Sequence, residues 1–114
     1  MRKSLTKQEI LRKRQEIVQV FECRQAFYNG PITLYYKKST YSYTRVLFTV
    51  RSAINAVKRN LKKRWLREIY RTYKHKFVHP YDIIIQLRGN NNSFSVVQNS
   101  LVQLFQKIKR LRNI

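Results

Sequence analysis

The feature that most constrains the fold of this chain is a segment, residues 56–71, in which basic and apolar side chains recur at helical spacing. On a helical wheel with about 100° per residue, the two kinds of side chain fall on opposite arcs. The basic arc carries Arg59, Asn60, Lys63, Arg64, Arg67, Arg71 and Lys74, and the apolar arc carries Ile54, Val57, Leu61, Trp65, Ile69 and Tyr73. This pattern predicts one long amphipathic helix over residues 53–76, capped by Ser52.

The cations on this helix need a partner of opposite charge. Like charges three and four residues apart destabilise a helix by about 0.2 to 0.5 kcal/mol per pair, so the arrangement is favourable mainly against a polyanion. The whole chain of 114 residues carries a formal net charge of +20. Nucleic acid is the usual partner for such an excess, and an anionic membrane or an acidic protein is the less common alternative. We therefore predict that the partner is RNA.

The chain is also apolar enough to fold, since 43% of its residues are hydrophobic and 13% are aromatic. We expect a single RNA-binding domain over residues 1–114, in which residues 1–8 form a flexible basic arm. The lone Cys23 suits a reducing compartment, and the sequence shows neither a signal peptide nor the apolar run of about 20 residues that a membrane span needs. The expected location is the cytoplasm, with no membrane partner.

Apolar periodicity predicts the other elements. A first helix is expected over residues 9–22, followed by strands over 24–28, 32–38 and 43–51, with a turn at Asn29-Gly30-Pro31. A fourth strand over 81–88 and a last helix over 94–111 follow the basic helix. Alternation places Val46, Phe48 and Val50 on one face of the third strand, Ile83, Ile85 and Leu87 on the buried face of the fourth, and Val97, Leu101, Leu104, Phe105 and Ile108 on the inner side of the last helix. The order α-β-β-β-α-β-α predicts an α+β sandwich with a small four-stranded sheet.

These residues resemble a known family, the bacterial ribonuclease P protein component. That family carries the signature Asn-Ala-Val-x-Arg-Asn-Arg-x-Lys-Arg-x-x-Arg on its long helix. Eight residues match it in register: Asn55, Ala56, Val57, Arg59, Asn60, Lys63, Arg64 and Arg67. Further matches are Val20-Phe21, Leu34-Tyr35, Arg45-Val46 and Asp82-Ile83-Ile84-Ile85. The resemblance implies a ribosomal protein S5 domain 2-like fold with a left-handed β-α-β crossover, which is an exception to the usual handedness.

The resemblance also implies a function. The chain would be the protein subunit of ribonuclease P, the endoribonuclease that removes the 5′ leader of precursor tRNA, and the catalytic RNA subunit would hold Mg²⁺ and carry out hydrolysis. The expected contacts with the catalytic RNA are Lys58, Arg59, Asn60, Lys62, Lys63, Arg64, Arg67 and Arg71. A cleft between the first helix and the sheet would hold the single-stranded leader through Ile17, Phe21, Tyr35, Lys37, Arg45, Thr49 and Arg88.

The leader cleft has a physical rationale, because single-stranded RNA is held by bases that stack on aromatic rings beside cations. Tyr35 is expected to be exposed, whereas ordinary core packing is an equal alternative for Phe21. Three departures from the family pattern affect individual contacts. Leu61 replaces the second signature arginine, whose role has passed to Lys62 or been lost; Arg24 replaces a glycine; and the stretch before the signature, residues 52–54, is one residue short.

The sequence offers no evident catalytic group or metal site of its own. A protein nuclease needs clustered carboxylates that hold Mg²⁺ or a His/Lys pair, and the five acids form no such motif. His75 and His79 have the spacing of a metal pair but lack a third ligand, so surface histidines are the simpler interpretation. Two other functions stay open. One is a structural RNA-binding protein of ribosomal type, and the other is a DNA-binding module, which the absence of a helix-turn-helix pair disfavours.

Overall fold

The computed structural model describes residues 7–51, 55–73, 79–89 and 93–109. Within these ranges a 3₁₀ turn (Lys7–Glu9) precedes the helices α1 (Arg14–Glu22), α2 (Ala56–Tyr73) and α3 (Phe94–Lys109). The strands are β1 (Ala26–Asn29), β2 (Ile32–Lys38), β3 (Arg45–Arg51) and β4 (Tyr81–Arg88). The order α-β-β-β-α-β-α and the α+β class are as predicted. None of the helices in the described ranges is both long and apolar enough to cross a membrane.

The strands form one mixed sheet in the order β1-β2-β4-β3. A tight turn at Gly30 and Pro31 joins β1 to β2, and the positive φ of 57° at Gly30 explains the glycine there. β2 pairs antiparallel with β4, and β3 pairs parallel with β4, with Arg45 opposite Asp82. α2 therefore connects two parallel neighbours, as the predicted β-α-β unit requires; the left hand of this crossover stays a prediction.

Two apolar clusters lie on opposite faces of the sheet. The larger one is formed by the sheet, α2 and α3, and it contains the inward residues that alternation predicted for β3, β4 and α3. The smaller cluster consists of Leu11, Val20 and Ile84, with the half-buried Ile17, Tyr35 and Leu47 packed against it. This second cluster holds α1 against the other face of the sheet. Of the described helices, one packs on that face, whereas two pack on the face of the larger cluster.

The first helix is shorter than predicted, because it begins at Arg14 instead of residue 9. Ile10 forms a parallel bridge with Val46, and the backbone N–H of Leu11 donates to the carbonyl of Val46 at 3.0 Å. Residues 10 and 11 thus extend along the edge of β3, where Leu11 is buried without belonging to a helix and Ile10 is 37% exposed. Most of the predicted basic arm, residues 1–6, lies outside the described residues.

The basic helix is also shorter than predicted and has a different cap. It begins at Ala56, and the side-chain Oδ1 of Asn55 accepts a hydrogen bond from the backbone N–H of Lys58 at 3.0 Å. Asn55 is therefore the residue that caps α2, in place of Ser52. Ser52, the start of the predicted helix at residues 53–54 and its last predicted turn at 74–76, which includes His75, lie outside the described residues.

The buried side of α2 differs from the predicted apolar arc. Its buried residues are Lys62, Leu66, Ile69 and Tyr70, whereas Val57 is 78% exposed and Leu61 is 46% exposed. A helix rotates by about 100° per residue, which turns Val57 about 140° away from Lys62. The expectation that Val57 and Leu61 face the core was wrong, because a lysine occupies a buried position where the pattern would have placed an apolar residue.

Candidate nucleic-acid interface

One candidate surface is the side of α2 that faces away from the sheet. Asn60, Arg64 and Arg67 are exposed there, opposite the buried Leu66 and Ile69, and Lys58 is exposed in the first turn. The other predicted contacts on this helix, Arg59, Lys63 and Arg71, are half-buried. The structure therefore presents a row of guanidinium and amide groups that can donate hydrogen bonds to phosphates and base edges.

Lys62 does not belong to this exposed surface. It is only 5% exposed, and its Nζ donates a hydrogen bond to the carbonyl oxygen of Gly89 at 3.2 Å. Its aliphatic stem fills a place among the apolar side chains of α2, while the ammonium group reaches the end of β4. Its prediction as an RNA contact, and as a substitute for the missing signature arginine, is corrected accordingly: Lys62 links α2 to the sheet.

Apolar side chains interrupt the cationic surface of α2. Val57 and Leu61 line a shallow concavity of about 240 Å³ together with Asn60 and Arg64. Leu61 stands where the family signature has an arginine, so an exposed apolar side chain replaces a cation within the surface. An aliphatic contact here suits the ribose or the face of a base better than a phosphate.

The second candidate surface lies between α1 and the sheet. Phe21, near the end of α1, is 41% exposed, and its ring centroid lies 4.7 Å from that of Tyr35 on β2, with the two planes inclined by 66°. Phe21 is thus outside both apolar clusters, which decides against ordinary core packing. Tyr35 is half-buried against the cluster around Val20, so its expected exposure was too high. Ile17 is half-buried in the same cluster.

Arg45 joins three elements through two ion pairs, of which the one with Asp82 is buried and the one with Glu16 is partly buried. Its Nε and Nη2 donate to Oδ1 and Oδ2 of Asp82 at 3.0 and 2.8 Å, and its Nη1 donates to Oε2 of Glu16 at 2.9 Å. The hydrogen bond with Asp82 raises the pKa of Arg45 above its usual value, although burial opposes the shift and Glu16 adds to it. The prediction of Arg45 as a leader contact is therefore corrected, because its guanidinium serves two carboxylates that hold α1, β3 and β4 together.

Lys37, Thr49 and Arg88, the other predicted contacts on the sheet, lie on the same face as Tyr35. The strand register places Lys37 opposite Asp82 and Thr49 opposite Gln86. The hydroxyl of Thr49 lies 3.5 Å from the carbonyl oxygen of Ile85, and the exposed Arg88 donates from Nη2 to Oγ1 of Thr33 at 3.3 Å. These side chains share a face but extend over three strands, so they form a surface rather than a closed pocket.

A further cavity was not predicted from the sequence. It measures about 350 Å³ and lies where the N-terminal end of α1 meets the loop between β2 and β3; we call it the Tyr41 pocket. Its lining is formed by Gln8, Ile10, Arg12, Lys13, Glu16, Tyr41, Tyr43 and Arg45. The only features of the sequence that could have indicated this pocket are Tyr41 and Tyr43, two residues apart in the loop, and the consecutive cations Arg12 and Lys13. Their proximity depends on contacts between distant parts of the chain.

Together these features define a class of protein: a small, strongly basic α+β domain with an exposed cationic helix and, on the other side of its sheet, an aromatic cleft suited to RNA. Comparison with known proteins identifies the family. The sequence profile described as Ribonuclease P matches residues 5–109. The chain belongs to this family, whose members are the protein subunits of an endoribonuclease in which catalysis lies with the RNA.

Individual relatives agree with this assignment over most of the chain. The ribonuclease P protein component of Petrotoga mobilis is 34% identical over 110 residues, covering 90% of this chain and 93% of that protein. The one from Syntrophus aciditrophicus is 34% identical over 91 residues, covering 79% and 76%. The solved RNase P protein of Thermotoga maritima superposes with a TM-score of 0.76 at 27% identity, covering 92% and 99%. The Staphylococcus aureus structure, with a TM-score of 0.79 at 24% identity, covers 92% and 98% and has the same fold.

Proposed function

We propose that this protein binds the catalytic RNA of ribonuclease P through the exposed side of α2 and holds the 5′ leader of precursor tRNA beside α1. The observation that carries the proposal is the exposed ring of Phe21, which lies 4.7 Å from Tyr35 on a chain of net charge +20. An apolar ring is costly to expose to water, and stacking on a nucleobase relieves that cost. The two surfaces lie on opposite sides of the sheet, so one protein can contact both RNAs.

The role of α2 in this proposal rests on its donors. Arg64 and Arg67 can each donate two hydrogen bonds to a phosphate, and Asn60 can bond a base edge or a 2′-hydroxyl. The exposed Val57 and Leu61 add aliphatic contact next to these groups. Binding through this mixture would depend on salt less steeply than binding through cations alone, because only phosphate contacts release counterions.

Mg²⁺ belongs to the RNA in this proposal. Mg²⁺ favours carboxylates together with water or phosphate oxygens. Among the described residues, Asp82 and Glu16 both accept hydrogen bonds from Arg45, so these carboxylates already have a cationic partner. The residues of this chain then bind and orient the RNA, and the metal ions bound by the RNA supply the activated water. We place this activity in the cytoplasm, where precursor tRNA is made.

A reconstitution tests the proposal. The chain is combined with a bacterial ribonuclease P RNA at low Mg²⁺, and cleavage of a precursor tRNA is measured with and without the protein. We expect faster cleavage with the protein, because it raises the affinity for the leader. Cleavage at equal rates would reject the proposal, and so would cleavage by the protein without RNA.

Variants of Phe21 localise the effect to the cleft. Phe21→Ala removes the exposed ring and is expected to weaken binding of leader-bearing precursor tRNA about tenfold, in line with the value of one stacked base. Phe21→Tyr keeps the ring and serves as the matched control, which should bind as the wild type does. Equal losses of affinity for precursor and mature tRNA would contradict the assignment of the cleft to the leader.

A further inference from the structure

The Tyr41 pocket is built by three separate parts of the chain. Its lining comes from the segment before α1 (Gln8, Ile10, Arg12 and Lys13), from Glu16 in the first turn of α1, and from Tyr41, Tyr43 and Arg45 in the loop between β2 and β3 and at the start of β3. Its volume of about 350 Å³ is within the range of about 300 to 1,000 Å³ that is usual for small-ligand sites. It is therefore large enough for one nucleotide, and it is open to solvent.

The aromatic wall of the pocket is held in place by several contacts. The ring centroids of Tyr41 and Tyr43 lie 5.4 Å apart with planes inclined by 29°, and the guanidinium carbon of Arg45 lies 4.4 Å from the Tyr41 centroid. Within the loop, the Oγ of Ser39 accepts a hydrogen bond from the N–H of Tyr41 at 3.0 Å and donates one to the carbonyl of Tyr43 at 3.3 Å. Arg45 is itself fixed by its ion pairs, so this stack is ordered before any ligand binds.

The charge around the pocket favours an anion. Arg12 and Lys13 are both exposed at its rim, whereas the carboxylate of Glu16 is engaged by Arg45 at 2.9 Å. Two exposed cations next to an ordered aromatic stack are the combination that binds single-stranded nucleic acid, in which phosphates meet the cations and bases meet the rings. A duplex is a poor fit, because its bases are paired and cannot enter a concave site.

The position of the pocket relates it to the cleft. Tyr35 on β2 and Arg45 on β3 lie on the same face of the sheet, with β4 between them. Their partners on β4, Ile84 and Asp82, are two residues apart, so the backbone positions of Tyr35 and Arg45 are separated by about 12 Å. α1 runs between them, with Glu16 near Arg45 and Phe21 near Tyr35. A single strand bound at Phe21 can therefore continue along α1 to the pocket.

We propose that the Tyr41 pocket binds one unpaired nucleotide of the 5′ leader, farther from the cleavage site than the nucleotides held by Phe21 and Tyr35. This inference rests on the proposed function of the cleft. The base would pack against the tyrosine pair, and its phosphate would contact Arg12 and Lys13. The pocket thus lengthens the part of the leader that this protein recognises.

The test uses the holoenzyme and precursor tRNAs whose leaders are lengthened one nucleotide at a time. In the wild type, affinity rises as the leader reaches the cleft and rises again when it reaches the pocket. Tyr41→Ala should remove the second increase, a loss of about tenfold for long leaders, and leave short leaders unaffected. Tyr41→Phe keeps the ring and should retain both increases.

Charge-matched variants separate the pocket from the general positive field. Arg12→Gln/Lys13→Gln is compared with Lys107→Gln/Lys109→Gln, which removes the same charge from exposed positions on α3, across the sheet. Only the first pair should weaken binding of long leaders. If Tyr41→Ala behaves as the wild type does at every length, or if it weakens binding to the catalytic RNA alone, the pocket does not bind the leader. A wild type with no leader dependence would instead reject the function of the cleft.

Discussion

Arg24 occupies a backbone conformation that ordinarily favours glycine. Its φ is 55°, directly after α1, where its N–H donates to the carbonyl of Phe21 at 3.2 Å. The family pattern has a glycine at this place, and the positive φ explains why: a side chain there is strained. The arginine therefore stores strain next to the cleft residue Phe21.

Arg24→Gly is expected to stabilise the protein by about 1 kcal/mol, because relief of the strained backbone exceeds the entropy that glycine adds to the unfolded chain. The measurement is the free energy of unfolding in urea. Gln25→Gly, at the next exposed position, which has no positive φ, is the control and should destabilise. A decrease in stability for Arg24→Gly would contradict the strain at this position.

At this scale, the sequence predicted the exposure of some candidate RNA contacts and not of others. Phe21, Asn60, Arg64 and Arg67 are exposed as an interface requires. Arg45, in contrast, is buried against Asp82. The sequence did not predict this, because Asp82 lies 37 positions later in the chain and becomes a neighbour only through the parallel pairing of β3 and β4. No local pattern distinguishes an arginine that binds RNA from one that binds a distant carboxylate.

At the scale of elements, α1 is attached to the sheet by the Arg45 ion pairs as well as by apolar contacts. Asp82 lies on β4, and its side chain is 4% exposed, whereas Glu16 lies on α1, and its side chain is 22% exposed. Breaking a buried pair leaves an uncompensated charge, which costs more than breaking a partly solvated one. We therefore expect Asp82 to contribute more than Glu16 to the free energy of unfolding.

Asp82→Asn should lower the free energy of unfolding by about 3 kcal/mol, since one of the two partners of a buried guanidinium is removed. Glu16→Gln should cost about 1 kcal/mol, because water screens this pair and can solvate the guanidinium in place of the carboxylate. Chemical denaturation at neutral pH measures both values. Equal costs for the two variants would show that the ion pair with Glu16 is as important as the one with Asp82.

Strands were easier to predict than helices. β2 and β4 have the predicted bounds, and alternation correctly assigned one face of β3 and one face of β4 to the larger cluster, since a strand has a fixed period of two. Alternation did not predict that the opposite face of β4 is buried too, at Asp82 and Ile84. The first residue of each helix was harder to predict, because it depends on contacts that leave no periodic pattern in the sequence. The extended contact of Leu11 with β3 makes α1 begin later than predicted, and the Asn55 cap sets the first residue of α2. The prediction of which side of α2 faces the core was wrong, because the buried side includes Lys62.

At the scale of the whole molecule, the net charge of +20 attracts any polyanion, but we assign recognition to particular surfaces. Long-range attraction depends on total charge, and it falls off over a Debye length of about 8 to 10 Å at physiological salt. Contacts with phosphates depend on position. Variants with equal charge and different positions therefore distinguish general attraction from docking through α2.

The most direct test is the salt dependence of binding to ribonuclease P RNA for two charge-matched variants. Arg64→Gln/Arg67→Gln changes exposed residues on α2, and Lys107→Gln/Lys109→Gln changes exposed residues on α3. We predict that the α2 variant lowers the slope of log affinity against log salt by about 0.7 to 0.9 for each phosphate that the helix no longer neutralises, whereas the α3 variant keeps the wild-type slope. Equal changes in slope for the two variants would contradict docking through α2.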